Sequence, residues 1–247
     1  MIATKGGLRM TENGLVRDSS PVWLRRGVDE SLQALGIDHV DLYQVHWPDP
    51  VVPFAETAGA LQELVDEGKI RHVGVSNFDA AQMAEFAETR PVETLQAPYH
   101  LFRRDIEVEI LPYCQEHDIG VLAYGPLAHG LLTGALSEET EFAPDDWRSG
   151  APFFAGETYR RNLEVVRELE RFASEGLGVS VSRMAIAWTL ANPVVHVAIV
   201  GARRPSHIED SIAAVDLTLS EGDLERIDQI TASAAPISGP SPEMMPE

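Results

Sequence analysis

Lys5 and His46 are basic side chains that stand at the ends of short apolar runs. His46 ends the run that begins at Val40 and is followed by Trp47 and Pro48. A histidine there can hold or transfer a proton near neutral pH. A lysine there can act as a fixed positive charge or as a Schiff-base nucleophile. The two positions predict a catalytic site, whereas either residue alone would also fit a solvated lysine or a structural histidine.

Polar and aromatic residues end three further runs. Ser76 and Asn77 end the run that begins at Ile70, Gln96 ends a shorter one, and Tyr124 ends another. Amides at such positions bind ligands, or they cap loops and buried turns. Nearly every predicted strand thus carries a chemically useful side chain at its carboxyl end, which is how barrel enzymes place their chemistry on one face.

Helical patterns separate the strands and set their positions. Six strands are predicted, at about residues 2–7, 40–46, 70–78, 92–96, 119–125 and 195–200. Helices are predicted from Pro21 to Gly36, from Phe54 to Gly68, after Asp79 to about Thr89, from about Ile106 to His117, near 157–176 and 180–191, and after Pro205. An acidic amphipathic helix from about Ser220 leads into a flexible tail with Pro and Met. Residues 126–156 form a long irregular connection, which in a compact domain is usually functional or disordered.

Strands that alternate with helices imply parallel strands joined by right-handed crossovers. An open sheet that binds a dinucleotide would carry a Gly-x-Gly-x-x-Gly turn after a strand, and the sequence has none. Polar residues at many strand ends favour a (β/α)8 TIM barrel. We therefore expect one α/β barrel domain over residues 1–247.

Composition narrows the class of protein. The chain of 247 residues is 44% hydrophobic, and it shows neither a transmembrane run nor a secretory signal. Its single cysteine, Cys114, cannot form an internal disulfide, so we expect a cytoplasmic protein. A formal charge of -20 argues against nucleic acid and membrane partners. The histidines show no metal-ligand spacing, so no metal is expected.

Four segments together resemble the aldo-keto reductase family. They are Ile-Ala-Thr-Lys at residues 2–5, Leu-Gly-Ile-Asp-His-Val-Asp-Leu-Tyr-Gln-Val-His-Trp-Pro at 35–48, Gly-Lys-Ile-Arg-His-Val-Gly-Val-Ser-Asn-Phe at 68–78, and Ile-Val-Gly-Ala-Arg at 199–203. The resemblance covers nearly the whole chain in the right order. It implies a TIM barrel that uses NADPH, or less often NADH, to reduce an aldehyde or a ketone.

The resemblance also assigns catalytic roles. Lys5 would lower the pKa of a tyrosine acid, His46 would orient the carbonyl oxygen, and Trp47 would contact the substrate. The family's aspartate and tyrosine lie in two βα units that precede the strand of Lys5, so an incomplete barrel of about six of eight units is expected, with impaired turnover. The tyrosines at 43, 99, 113 and 159 do not match the family acid.

Cofactor contacts follow from the resemblance as well. Ser76, Asn77 and Gln96 would bind the nicotinamide carboxamide, and Tyr124 would stack on the ring. The pyrophosphate would lie under Gly125, Pro126 and Leu127. The adenosine phosphate would be bound by Gly201, Arg203, His207, Asp210 and Ser211. Arg203 suits a 2′-phosphate and favours NADPH over NADH. His207 stands where the family commonly has glutamine or arginine. Ser211 stands where the family commonly has asparagine.

Three functions remain open on the sequence. The first is an NADPH-dependent carbonyl reductase. The second is a non-catalytic aldo-keto reductase-like module that binds a nucleotide or a partner, and open barrel edges would favour an oligomer in that form. The third is a Schiff-base aldolase with Lys5 as nucleophile, which leaves the other strand-end residues unexplained.

Overall fold

A computed structural model describes residues 1–237 of the chain. The fold is α/β with a six-stranded sheet, and its resolved pairings are parallel. The predicted class and the six strands are confirmed. That these strands are part of an eight-stranded barrel stays a prediction, as does the single domain.

The helices and strands have the following bounds. The strands are β1 (Ala3–Gly6), β2 (Leu8–Thr11), β3 (Gly14–Arg17), β4 (Val40–Val45), β5 (Ile70–Ser76), β6 (Thr94–Pro98), β7 (Gly120–Tyr124) and β8 (Val195–Ile199). The helices are α1 (Pro21–Leu35), α2 (Phe54–Asp66), α3 (Ala80–Ala87), α4 (Ile110–Glu116), α5 (Gly156–Arg171), α6 (Val181–Ala191), α7 (Pro205–Ile212) and α8 (Glu221–Thr231). The tail predicted after α8 lies, from residue 238 on, outside the described residues.

The chain divides into two compact units. The first contains Met1–Ala97 and Ile106–Leu122, and the second contains Pro98–Asp105 and the chain from Ala123 on. Lys5, His46, Ser76, Asn77 and Gln96 belong to the first unit.

Parallel register aligns the strand ends of the first unit. Lys5 on β1 is opposite Gln44 on β4, and Gln44 is opposite Gly74 on β5. Ser76 at the end of β5 is opposite Gln96 on β6. Because parallel strands point the same way, their carboxyl ends lie along one edge of the sheet. The predicted polar residues of this unit therefore share that edge.

Capping fixes where two helices of this unit begin. The Ser20 hydroxyl accepts a hydrogen bond from the Trp23 amide at 3.4 Å, Pro21 occupies the first turn, and Gly36 ends α1 with φ of 65°. Asp79 forms a capping box with Gln82 at the start of α3. These contacts satisfy backbone groups that a helix end leaves open. The predicted starts of both helices are confirmed.

An antiparallel hairpin, β2 and β3, was not predicted. Thr11 pairs with Gly14 across a two-residue loop, and Gly14 has φ of 108°, a conformation that glycine adopts without a steric penalty. The Trp23 indole donates to the Leu8 carbonyl at 3.0 Å and ties the hairpin to α1. The Asn13-Gly14 pair was the signal for this turn.

The helix predicted from Ile106 to His117 was too long. A 3-10 turn occupies Asp105–Glu107, and α4 begins only at Ile110. Pro112 explains the shorter helix because proline has no N–H and fits only the first turn.

The second unit is built around α5. Leu163, Val166 and Leu169 are buried on its apolar face. The buried Asn162 donates to the Ala235 carbonyl at 3.0 Å and accepts from the Ala235 amide at 2.8 Å. These two bonds fix the segment after α8 against α5, and a buried amide needs both.

Membrane spans and metal clusters are both absent from residues 1–237. Every helix in this range is too short or too polar to span a membrane. Within the same residues, no three His, Cys, Asp or Glu side chains are arranged to hold a metal ion.

Gly27 in the middle of α1 provides a stability test. A Cβ on Gly27 would lie 2.6 Å from the Tyr43 hydroxyl oxygen, which is buried and has no hydrogen-bond partner among the described residues. Gly→Ala in a helix interior normally adds about 1 kcal/mol of stability. We expect Gly27→Ala to lower the free energy of unfolding of the wild-type chain. In the Tyr43→Phe background the same substitution should raise it relative to Tyr43→Phe alone. Urea denaturation measures both changes.

Gly59 is the matched control because it lies within α2 and its added Cβ would meet nothing within 4 Å. Gly59→Ala should stabilise by about 1 kcal/mol in both backgrounds. Tyr43→Phe alone should also stabilise, since an unpaired buried hydroxyl costs roughly 1–3 kcal/mol. Equal effects of Gly27→Ala and Gly59→Ala would contradict the predicted overlap.

Candidate functional site

Lys5 and Gln96 form the central contact of the first unit's site. The Lys5 ammonium Nζ donates to Gln96 Oε1 at 2.7 Å. A hydrogen bond with a charged donor is stronger than one between neutral groups. Lys5 remains exposed, whereas a Schiff-base lysine is usually activated by an apolar pocket or a neighbouring cation.

Gln44 extends this contact and was missed in the sequence. Gln96 Nε2 donates to Gln44 Oε1 at 3.0 Å, and Gln44 Nε2 donates to Thr94 Oγ1 at 3.3 Å. Both amides are buried, at 0% and 6% exposure for Gln44 and Gln96. The available signal was a polar amide inside the Leu42–Val45 part of β4, which is otherwise buried and largely apolar.

The ends of β4 and β5 are joined at His46. The His46 amide donates to the Gly6 carbonyl at 2.8 Å, and Asn77 Nδ2 donates to the His46 carbonyl at 3.0 Å. Asn77 has φ of 63° and also donates to the Ser76 hydroxyl at 3.2 Å. Asn77 thus holds the backbone carbonyl of His46. The half-buried imidazole of His46 takes no part in this hydrogen bond. Loop capping, the alternative function of Asn77, is present in the structure.

Trp47 is buried beside Arg17, the last residue of β3. The Arg17 guanidinium lies over its ring at 5.1 Å and donates to the Pro48 carbonyl at 3.2 Å. Burial lowers the pKa of Arg17, while nearby Asp49 opposes that shift. Trp47 Nε1 is buried without a hydrogen-bond partner among the described residues. The predicted substrate contact of Trp47 stays a prediction.

In the second unit, a strained turn follows Tyr124. The half-buried Tyr124 accepts a backbone hydrogen bond from the Tyr99 amide at 3.2 Å. Gly125 has φ of 67°, and Ala128 and His129 also have positive φ, at 47° and 56°. Non-glycine residues rarely adopt this conformation, and such strain often marks a binding loop.

One cleft of about 790 Å³ gathers all the cofactor residues predicted for this unit except Tyr124. One group of them comes from the turn after β7, namely Gly125, Pro126 and Leu127. The other group comes from the turn after β8 and from α7, namely Gly201, Arg203, His207, Asp210 and Ser211. Arg148 and Ser182 also line the cleft and were not predicted, because they are distant in sequence from the motifs. Ser206 lines it too and was missed, although it directly precedes His207.

The residues around α7 differ in what holds them. His207 Nδ1 accepts from the Arg203 amide at 3.4 Å. Asp210 accepts from the Ser180 hydroxyl at 3.0 Å and from Arg183 at 2.8 Å. Asp210 therefore also anchors α7 to α6, a structural role beside its place in the cleft.

Asp146 and Arg148 form an ion pair in the long connection. Arg148 Nη2 approaches Asp146 Oδ2 at 2.6 Å, and Arg148 Nη1 donates to the His129 carbonyl at 3.2 Å. Hydrogen bonds from Arg148, with smaller contributions from its charge and from Arg203, lower the pKa of Asp146 to about 2. The bond to the His129 carbonyl fixes the strained turn. Asp146, Arg148 and His129 also line a second, polar cleft of about 640 Å³.

Each unit carries groups of the kind that bind parts of a nicotinamide dinucleotide. In the first unit, Ser76, Gln96 and Asn77 supply the hydroxyl and amide groups that a carboxamide pairs with. In the second unit, a Cβ on Gly201 would meet nothing within 4 Å, so its backbone is open to a ligand. Arg203 adds positive charge beside the amino end of α7, which suits a phosphate.

Three tyrosines, at positions 43, 99 and 159, are buried or hydrogen-bonded within the protein. The Tyr43 hydroxyl faces Gly6 and Gly27, and burial raises its pKa. The Tyr159 hydroxyl donates to the Ser137 carbonyl at 3.0 Å. Tyr99 is only 2% exposed. These contacts agree with the sequence, in which these tyrosines do not match the family acid.

Comparison with known proteins identifies similar chains. The aldo/keto reductase family model matches residues 1–232. Aldo-keto reductase YhdN of Bacillus subtilis (strain 168) is 41% identical over 246 residues, which cover 99% of this chain and 74% of that protein. The glycerol dehydrogenase of Gluconobacter oxydans has a similar structure, with a TM-score of 0.88, 39% identity, and coverage of 97% of this chain and 74% of that one.

Two further relatives differ in the cofactor that their names state. The NADP(+) aldo-keto reductase yakc of Schizosaccharomyces pombe is 32% identical and covers 98% of this chain and 72% of its own length. The NADH-specific methylglyoxal reductase of Escherichia coli (strain K12) is 32% identical and covers 89% of this chain and 68% of its own length. The relatives alone therefore do not decide which nicotinamide cofactor this chain would take.

Asp146 gives a pH-dependent test of the ion pair. Since its pKa in the folded chain is about 2, below the unfolded value of 3.8, its stabilising effect is present above about pH 4 and is lost as pH falls towards 2. Carboxyl NMR should show Asp146 titrating near 2, and Arg148→Gln should move that pKa towards 3.8. Arg160→Gln, which breaks the exposed Arg160–Glu157 pair, should leave it unchanged. An Asp146 pKa near 3.8 in the natural chain would contradict the ion pair.

Proposed function

This chain belongs to the aldo/keto reductase family, and we propose that it is an NADPH-dependent oxidoreductase that reduces a small aldehyde or ketone. The hydrogen bond between Lys5 and Gln96, at the sheet edge that also carries His46, is the observation that carries the proposal. This bond joins the Lys5 ammonium, a positive charge suited to catalysis, to the Gln96 amide, a group suited to hydrogen bonding with a carboxamide.

The nicotinamide supplies the hydride when it is bound. Ser76, Asn77 and Gln96 would hold its carboxamide. This assignment rests on the family resemblance and on the position of the three residues at the ends of β5 and β6, where their side chains also bond to one another, to His46 and to Gln44. A fixed carboxamide orients the ring, and orientation is a large part of the rate enhancement of such reactions.

His46 acts on the carbonyl oxygen, and Lys5 acts on the acid beside it. The positive charge of Lys5 lowers the pKa of that acid, which would give its proton to the oxygen as the hydride adds to the carbonyl carbon. His46 donates a hydrogen bond to the carbonyl oxygen and orients it, while Asn77 fixes the backbone of His46. Trp47 contributes an apolar wall for the substrate.

The phosphate end of the cofactor lies in the cleft of the second unit. Gly125, Pro126 and Leu127 approach the pyrophosphate, and Gly201 and Arg203 approach the adenosine end. Arg203 favours NADPH because a guanidinium pairs with a 2′-phosphate in two hydrogen bonds. The relatives' names divide between NADP(+) and NADH, so this preference rests on Arg203.

A second candidate is a module that binds the nucleotide without efficient turnover. The specific observation in its favour is the burial or hydrogen bonding of Tyr43, Tyr99 and Tyr159, which takes them out of the role of proton donor. General acid catalysis contributes about 10²–10⁴-fold in rate. Cofactor binding would persist under this alternative, and carbonyl reduction would be weak.

Replacement of Lys5 tests catalysis. We expect Lys5→Met to lower kcat/KM for small aldehydes, methylglyoxal among them, by about 10²-fold or more, because the charge beside the reacting oxygen is lost. NADPH consumption measures the rate. His46→Ala should have a similar effect.

Lys69 is the only other lysine and pairs with Asp29 at 2.7 Å, so Lys69→Met is the matched control and should keep the natural rate. An aldehyde turnover that survives both Lys5→Met and His46→Ala would exclude the proposed catalytic roles. NADPH binding without measurable turnover in the natural chain would favour the second candidate.

Replacement of Arg203 tests the cofactor. In a tryptophan-fluorescence titration, we expect NADPH to bind more tightly than NADH. Arg203→Ala should raise the Kd for NADPH roughly 10- to 100-fold, since a hydrogen bond to a charged group contributes about 1.5–3 kcal/mol. The Kd for NADH should stay the same. Arg204→Ala is the control, because Arg204 is exposed but does not line the cleft; equal losses in the two variants would sink the assignment.

A further inference from the structure

We propose that Gln44 is a positioning residue that fixes the side-chain amide of Gln96 and, through it, the ammonium of Lys5. The inference rests on the proposed function for the roles of Lys5 and Gln96, but the contacts that carry it are independent of any cofactor. Gln44 acts through Gln96 and is not itself a catalytic residue.

The hydrogen bonds run in one direction from Lys5. The ammonium donates to Gln96 Oε1 at 2.7 Å, Gln96 Nε2 donates to Gln44 Oε1 at 3.0 Å, and Gln44 Nε2 donates to Thr94 Oγ1 at 3.3 Å. Each amide accepts on the side towards Lys5 and donates on the other side. Hydrogen bonds in such a chain polarise one another, so each link strengthens the next.

Gln44 decides which way the Gln96 amide points. An amide flipped by half a turn would direct its NH₂ group at the Lys5 ammonium, so that two donors would meet. The Gln44 carbonyl oxygen accepts from Gln96 Nε2 and so favours the orientation in which Oε1 faces Lys5. Without Gln44, the buried Nε2 of Gln96 would lose this partner.

The strands leave space for this amide. Gln44 is fully buried, and Gly74 is opposite it on β5. A Cβ on Gly74 would overlap the Thr94 hydroxyl and lie 3.1 Å from Gln44 Cγ. Tyr43, the neighbour of Gln44, instead points towards Gly27 in α1. Gln44 therefore lies on the same face of the sheet as Lys5, and the glycine at position 74 makes room for its bond to Thr94.

The chain's two lysines allow a direct measurement. Reductive methylation with ¹³C labels Lys5, Lys69 and the terminal amine, and Lys5→Arg assigns the Lys5 resonance. A dimethylated ammonium keeps one N–H to donate to Gln96. We expect Gln44→Met, which has a similar shape but no amide, to shift the Lys5 resonance. Thr94→Val removes only the last acceptor and should shift it less. The Lys69 resonance should not move in either variant.

Val73→Ala is the structural control. Val73 is fully buried on β5 opposite Tyr43, so its truncation destabilises the same sheet on the other face. It should leave the Lys5 resonance in place. A Lys5 resonance that is unchanged in Gln44→Met, or that shifts as much in Val73→Ala, would overturn the proposal. If Gln44→Met fails to fold, an unchanged Lys5 resonance in Thr94→Val would overturn it as well.

Cofactor binding provides the second readout. Because Gln96 binds the carboxamide in the proposed function, Gln44→Met should raise the Kd for NADPH about tenfold, equivalent to about 1.4 kcal/mol, and Val73→Ala should not. Failure of the natural chain to bind NADPH would refute the proposed function, and the lysine resonances would still decide the role of Gln44.

Discussion

The hydrogen bond from Lys5 to Gln96 depends on a curved sheet in the first unit. β4 and β5 lie between β1 and β6 in the sheet order, so the two backbones would be about 14 Å apart if the sheet were flat. A bond of 2.7 Å between their side chains requires this part of the sheet to curve, as strands do in a barrel wall. Curvature turns the face of Gln44 inward, and there Gln44 meets Gln96.

The parallel direction of the strands explains which parts of the site can be predicted from the sequence. A parallel strand that ends in a polar residue delivers it to one edge, and this needs only local patterns and strand direction. The positions of His46, Ser76, Asn77 and Gln96 at strand ends were predicted in this way, as were the six strands and the caps of α1 and α3. The roles of these four side chains stay predictions. The predicted cofactor residues from Gly125 to Ser211 came from the family resemblance. In the second unit they line a single cleft.

The missed features depend on contacts between distant segments. Gln44 looks like an ordinary strand residue until the register sets it opposite Lys5 and Gly74. The pairing of Asp146 with Arg148 is local, but its hold on the His129 carbonyl spans 19 residues of irregular chain. The hairpin β2–β3 is different, because Asn13-Gly14 was a readable turn signal whose flanking strands are only four residues each.

The acidic composition of the chain bears on how an anionic ligand would approach Arg203 in the 790 Å³ cleft. A chain of formal charge -20 repels a dinucleotide that itself carries several negative charges. At physiological salt the Debye length is about 8 Å, so most of this repulsion is screened before the ligand arrives. Contacts inside the cleft are screened less, and there Arg203 and the amino end of α7 add positive charge. Arg148 is already paired with Asp146, so the proposed preference for NADPH over NADH rests on the charge of Arg203.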